Sequence, residues 1–285
     1  VSTAFFTALS YVFGRAVDRS INPETVTFFW FFGAFVVALV ASALIPEQRR
    51  ELRSLHKYLK IFILSSLVTA VGAAFWIFSL RTIGLPLTSF LMKSQTLFSL
   101  FLGMVFLDER LTRWESVGVA LTILGGVVVA YQRDVNLILG TGAAILAAFC
   151  YSSLSFLVKR FAQNLNMLTV ANLRAFGVAL AAFMYLIATG RFQVPHHPLD
   201  VVYMALGGVT GAYIAKASQF QSIKLLDVSR STAVLPMESL FVVWFSYALF
   251  HELPSATKLV GGAAIVGGVV LLVIFRGRQA DVLGK

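Results

Sequence analysis

The chain is a series of apolar runs, each long enough to cross a bilayer, separated by short segments that hold most of its charge. About 20 apolar residues in an α-helix span the hydrocarbon core. Ten runs qualify, with approximate limits 1–17, 25–45, 59–80, 84–106, 114–131, 140–158, 167–189, 200–221, 228–250 and 256–275. They occupy almost all of the 285 residues, leaving no stretch for a soluble domain, a linker or a low-complexity segment. Composition agrees: 13% of residues are charged, against about 25% in a soluble domain. Bilayer-spanning chains are helical bundles or closed barrels, because lipid cannot satisfy loose backbone groups. Barrel strands alternate apolar and polar residues over about ten positions. These runs do not alternate, so the expected fold class is an all-α membrane protein. Val1 to Val17 lacks a basic leading segment and a clear small-residue cleavage site, and is read as the first span.

The formal net charge of +10 would suggest nucleic acid in a soluble protein. Here the basic residues sit mostly in short loops, where they set topology and meet anionic lipid. No nucleic-acid partner is expected. Numbering loops from an inside N-terminus places Arg15, Arg19, Arg81, Arg133, Arg191 and Lys258 outside. A larger set falls inside, led by Arg49, Arg50, Arg53, Lys57 and Lys60 in the second loop. Both termini are therefore expected in the cytoplasm, with the chain in a bacterial inner membrane.

The sequence also repeats. A shift of 143 carries Ser79 to Ser222, Phe98 to Phe241, Glu109 to Glu252, Gly118 to Gly261 and Gly125 to Gly268. A shift of 144 carries Thr25-Val26 to Thr169-Val170 and Gly33 to Gly177. Each half then holds five spans, and an odd number turns the halves upside-down relative to each other. The expected organisation is ten transmembrane helices as two inverted five-helix repeats, 1–138 and 139–278, with a cytoplasmic tail at 279–285. Inverted repeats around a midplane site are a transporter architecture.

Four ionisable residues fall inside the runs: Lys93, Arg174, Lys216 and Glu238. A charge at mid-bilayer costs at least about 2.5 kcal/mol, so such residues usually face a cavity or one another. Three of the four are cations, so the cavity should favour an anionic group. Lys93 shares a helix face with Ser89 and Thr96, and Gln95 is close by. It either binds the anion or pairs with Glu238, the repeat equivalent of Gln95. Glu238 is a candidate proton-coupling carboxylate, a partner for a substrate amine, or a permanent ion-pair partner of Lys93 or Lys216. Arg174, near Asn172, either clamps an oxyanion through two parallel hydrogen bonds or snorkels to the surface. Lys216 has Thr210, Tyr213, Ser218 and Gln219 around it, with Tyr213 expected on its face at i−3. Tyr11 and Tyr151 resemble each other in their halves and either line the cavity or sit at the membrane interface. Trp76 and Trp30 are candidate lining rings, and Trp114 is assigned to the interfacial belt.

The segment from Phe101 to Glu109, followed by Gly118 and Gly125-Gly126, resembles the EamA-type repeat of the drug/metabolite transporter superfamily. A second copy runs from Trp244 to Glu252, followed by Gly261-Gly262 and Gly267-Gly268. Pro236 stands where that family often carries proline in its ninth span, while the first copy has Lys93 there. The resemblance implies a ten-helix fold and a central cavity lined mainly by spans other than the fifth and tenth. It also implies export or exchange of small metabolites, without fixing which.

Glu109 and Glu252 are read as caps of tight hairpins. The single cysteine, Cys150, allows no internal disulfide and is read as a small packing residue. His196 and His197, flanked by Pro195 and Pro198 in an outer loop, make a poor metal site. No cofactor or metal is expected. No H-E-x-x-H, G-x-S-x-G or Walker A motif is present, so the chain reads as a non-ATP, secondary transporter and not an enzyme. The expected cargo is a small carboxylate- or phosphate-bearing metabolite, with amino acids or their derivatives leading. The expected partners are that anionic or zwitterionic molecule and membrane lipids, with the chain a monomer or homodimer. Two alternatives stay open: a transporter of lipid-linked or polyprenyl-phosphate headgroups, and a membrane-embedded enzyme or sensor.

Overall fold

A computed structural model describes residues 2–44, 59–107, 112–131, 135–161, 167–225 and 235–283. Glu109 and the basic residues Arg49, Arg50, Arg53, Lys57, Arg110, Arg133 and Arg230 lie outside these. The described chain is helical, without strands. The helices are α1 (Ser2–Ala16), α2 (Pro23–Leu44), α3 (Leu59–Ile83), α4 (Leu85–Met92), α5 (Ser94–Leu107), α6 (Arg113–Ala130), α7 (Val135–Phe161), α8 (Met167–Thr189), α9 (Pro198–Gly207), α10 (Lys216–Leu225), α11 (Leu235–Phe250) and α12 (Ala256–Leu283). A π-helical segment, Gly208–Ala215, joins α9 to α10 without a break. Seven described segments are long and apolar enough to cross a membrane, and Met237–Phe250 is a shorter apolar helix. The protein is an all-α integral membrane protein.

Two interruptions shape the interior. Between α4 and α5 the backbone tightens at Lys93, whose N–H donates to the Phe90 carbonyl and whose carbonyl accepts from Thr96, both at 3.0 Å. These are i→i+3 bonds, the tighter pattern of a short 3₁₀ turn. Where α9 passes into the π-helical segment, Gly207 and Gly208 let the backbone meet α2. A Cβ at Gly208 would run into the carbonyl oxygen of Trp30, and one at Gly207 into its indole ring. Gly211 similarly abuts Ser10 of α1.

Both ends of α6 are capped by side chains. Thr112 and Glu115 form a reciprocal box at the start of α6, with Glu115 N to Thr112 Oγ1 at 3.2 Å and Thr112 N to Glu115 Oε2 at 2.7 Å. At the other end of α6, the Lys258 ammonium donates to the carbonyls of Val129 (2.8 Å) and Tyr131 (2.5 Å). It thereby fills orphan acceptors at the negative end of the helix. α11 ends at His251, which takes a left-handed φ of 53°. Trp114, assigned from sequence to the interfacial belt, is exposed and stacks on Phe275 at 5.3 Å.

α6 and α12 pack along each other at one side of the bundle. A Cβ at Gly118 would lie 2.7 Å from the Gly268 carbonyl, and one at Gly125 would lie 2.5 Å from the Gly261 carbonyl. Small residues permit such close approach where lipid supplies no hydrophobic drive. The remaining helices pack as α3 on α7, α2 on α8, α5 on α7 and α1 on α11, with α1 and α2 both against the π-helical segment. They enclose the main core around Tyr11, Trp30 and Trp76.

Gly208→Ala is expected to destabilise the protein by about 1–3 kcal/mol, because the new methyl overlaps a backbone oxygen. Gly142→Ala, whose Cβ would meet open space, should change little. Thermal unfolding in detergent compares the two.

Candidate functional site

The break at Lys93 turns its ammonium inward, toward the first turns of α11. Its Nζ lies 3.0 Å from Glu238 Oε2, and the two side chains are 5% and 7% exposed. Ser239, the next residue on α11, donates from Oγ to the Ser89 carbonyl at 3.3 Å, tying the same two helices. The sequence left open whether Lys93 binds a ligand or pairs with Glu238. In the structure it pairs, and both partners still line a cavity.

That cavity encloses about 850 Å³ including its mouth. Besides the pair it is bounded by Arg174 from α8, Lys216 at the start of α10, Gln95 from α5 and Tyr151 from α7. Arg174 is 1% exposed. One of its terminal nitrogens donates to the Ala212 carbonyl in the π-helical segment, and its guanidinium lies 5.3 Å from the centre of the Phe31 ring. Its Nε has no hydrogen-bond partner among the described residues. Lys216 donates to Gln219 Oε1 at 2.9 Å and sits 5.0 Å from the centre of the Tyr151 ring, a cation–π distance. Gln95 Nε2 reaches the Tyr151 carbonyl and Ser155 Oγ, both at 3.4 Å. No acid is bonded to Arg174 or Lys216 among the described residues.

An aromatic corner completes the wall. Tyr11 meets Trp76 edge-on at 5.0 Å and 89°, and Trp76 meets Trp30 at 5.5 Å and 68°. Tyr11 also neighbours Glu238.

Two residues named from sequence lie elsewhere. Asn172 does not line the cavity: its amide donates to Ser42 Oγ at 2.6 Å and to the Ala38 carbonyl at 3.3 Å, holding α8 to α2. It stands two residues from Arg174, and α-helical positions two apart do not share a face. Tyr213 is packed in the core and is not part of the lining. The i, i+3 expectation linking it to Lys216 holds for an α-helix, whereas Tyr213 lies in a segment with π geometry.

Sequence reasoning passed over Thr3, Thr7 and Phe31, all of which line the cavity. A signal for the threonines was present: Thr3, Thr7, Ser10 and Tyr11 recur at helical spacing and make a polar stripe on an otherwise apolar α1. Phe31 carried no signal that set it apart from the chain's other phenylalanines.

The opposite end of the bundle, where α1, α3 and α11 finish, is closed by polar contacts. Arg15 pairs with Glu252 at 2.5 Å. Arg81 donates to the Ile21 and Asp18 carbonyls, and Asp18 N donates to Asp200 Oδ1 at 2.9 Å. Asp18 lies in the loop after α1, where the Ser20 backbone N–H holds its carboxyl below the usual range. Glu252, read from sequence as a hairpin cap, is thus an interhelical ion-pair partner.

Charged groups that converge on a cavity between membrane helices mark a functional site, because burying them in lipid is costly. The chain belongs to the EamA-like transporter family, which matches it over residues 1–131 and 138–274. It is 21% identical to an uncharacterized transporter of Methanothermobacter thermautotrophicus, over 95% of this chain and 84% of the relative. It is 23% identical to an S-adenosylmethionine uptake transporter of Rickettsia conorii, over 94% of this chain and 88% of the relative. One solved structure shares the fold with a TM-score of 0.71 at 16% identity, covering 97% of this chain and 96% of the other.

Lys93→Ala strands a buried carboxylate and is expected to cost about 3–5 kcal/mol. Replacing both partners by methionine should recover most of that loss. Unfolding of the single and double variants in detergent checks this.

Proposed function

We propose that the protein is a secondary transporter that moves a small carboxylate- or phosphate-bearing metabolite by alternating access, with amino acids and their derivatives as the leading cargo. The observation that carries this reading is a pair of cations at one cavity, the buried Arg174 and the partly buried Lys216, with no acid bonded to either among the described residues. Guanidinium and ammonium groups held this way gain most from a bound oxyanion, and arginine can bind one bidentately. S-adenosylmethionine, named for the Rickettsia relative, carries an amino-acid head and joins the candidates.

Alternating access in this reading needs ten spans in two inverted halves, and three sets of contacts support it. The Gly118–Gly268 approach maps onto Gly261–Gly125 under the shift of 143. Phe5 meets Phe241 at 5.7 Å and 88°, and Phe149 meets Phe98 at 5.4 Å and 84°, with α1 shifted by 144 onto α7. The neighbours Tyr11 and Glu238 map onto Ser155 and Gln95, which are hydrogen-bonded. In this register Ser155, not Tyr151, is the repeat partner of Tyr11. With both termini on the cytoplasmic side of a bacterial inner membrane, the contacts around Arg15–Glu252 close the outer face and the cavity looks inward.

Lys216 and Arg174 engage the anionic group, and Lys93 releases Glu238 when a proton or a substrate amine takes its place. Gln95, Tyr151, Tyr11 and Trp76 shape the chamber.

Uptake of labelled amino acids and S-adenosylmethionine into proteoliposomes tests the reading. Lys216→Ala and Arg174→Ala should each lower transport at least about tenfold, the scale of one lost charge-assisted bond. Unchanged flux in both sinks the anion site. Glu238→Gln should make flux indifferent to an imposed pH gradient while exchange of substrate for substrate continues.

A further inference from the structure

The cavity divides its hydrogen-bonding groups by element. From α8 and α10 come donors, Arg174 and Lys216. From α1 come two hydroxyls, those of Thr7 and Ser10, whose protons are already committed. Thr7 Oγ1 donates to the Thr3 carbonyl at 2.8 Å, and Ser10 Oγ donates to the Thr7 carbonyl at 2.6 Å. A hydroxyl has one proton, so these two oxygens can only accept from a ligand. Thr7 and Ser10 stand three apart on one face, with Tyr11 one turn from Thr7. Tyr11 in turn neighbours Glu238. A carboxylate accepts at two oxygens, and Lys93 is bonded to Oε2.

We infer that Thr7 is a specificity-determining residue: with Ser10 and Glu238 it forms an acceptor-only subsite for the ammonium group of a zwitterionic substrate, whose anionic end lies at Arg174 and Lys216. This rests on the anion site proposed above and adds to it. The same cavity then discriminates against carboxylates that lack the amine. A compound with no ammonium gives Thr7 and Ser10 no proton to accept, and so forgoes the hydrogen bonds that an amine makes there. The committed hydroxyls explain why the discrimination falls on charge and not on size: valine has the shape of threonine but offers no lone pair.

The test uses the full chain in detergent, with binding read from quenching of tryptophan fluorescence and from thermal stabilisation. The probes are two matched pairs and one single compound: leucine against 4-methylpentanoate, methionine against 4-(methylthio)butanoate, and S-adenosylmethionine. The expected result is that the amine-bearing compound of a pair binds more tightly to the native protein. Thr7→Val then weakens that compound about tenfold and leaves its des-amino partner within about twofold. Thr7→Ser, which keeps the hydroxyl, retains the native preference. Equal weakening of both members by Thr7→Val, or an unchanged ratio, overturns the inference and leaves the anion site standing. If no carboxylate probe binds and Lys216→Ala alters nothing, the anion site itself fails and the inference falls with it.

Discussion

The ion pair between Lys93 and Glu238 is the constraint around which the cavity is arranged. Each charge alone would be prohibitively placed, and their 3.0 Å contact makes the burial tolerable. To reach Glu238, the chain breaks its helix at Lys93 and starts a new one at Ser94. The break brings α4, α5 and α11 to one point, where Ser239 and Ser89 add a second tie. Around that crossing the other helices leave a space, and Arg174 and Lys216, with no acid bonded to either among the described residues, border it.

Outside the crossing, packing depends on absent side chains. The α6–α12 contact rests on Gly118, Gly125, Gly261 and Gly268, which let two backbones approach to van der Waals distance. The α2 contact with the π-helical segment rests on Gly207 and Gly208 in the same way. The first set holds two long helices together at the side of the bundle. The second sets where Lys216 emerges, because it fixes the irregular segment just before it. Rigid pairs at the periphery and irregular backbone at the cavity match the general rule that non-helical geometry in a membrane is found where it lines a cavity or is buried in protein.

Much of this was legible from residues alone. Span limits read from hydropathy agree with the helices to within a few residues at most ends, since lipid forces regular hydrogen bonding on every crossing segment. The four charges inside the runs could be named because nothing else there is as costly to place in lipid. Eight of the ten named site residues line one cavity. Asn172 and Tyr213 do not, for different reasons. Asn172 follows from helix periodicity, which opposes positions two apart. Tyr213 does not follow from it, because its segment leaves the α-helical period that the expectation assumed. The polar stripe of Thr3 and Thr7 is present in the sequence, but a hydroxyl that bonds its own helix backbone costs little to bury and so is a weaker signal than a charge.

The sequence by itself determined that the chain is a helical membrane protein and that a few charged residues must find shelter from lipid, because both follow from hydrophobicity and length alone. The tertiary structure decided which shelter each one has. Lys93 is neutralised by Glu238, Lys216 rests against Gln219 and Tyr151, and Arg174 keeps a donor unspent among the described residues. These outcomes turn on a helix break, a π-helical segment and ångström-scale glycine contacts. Such features depend on what packs against the helix and leave no period or composition for a sequence reading to find.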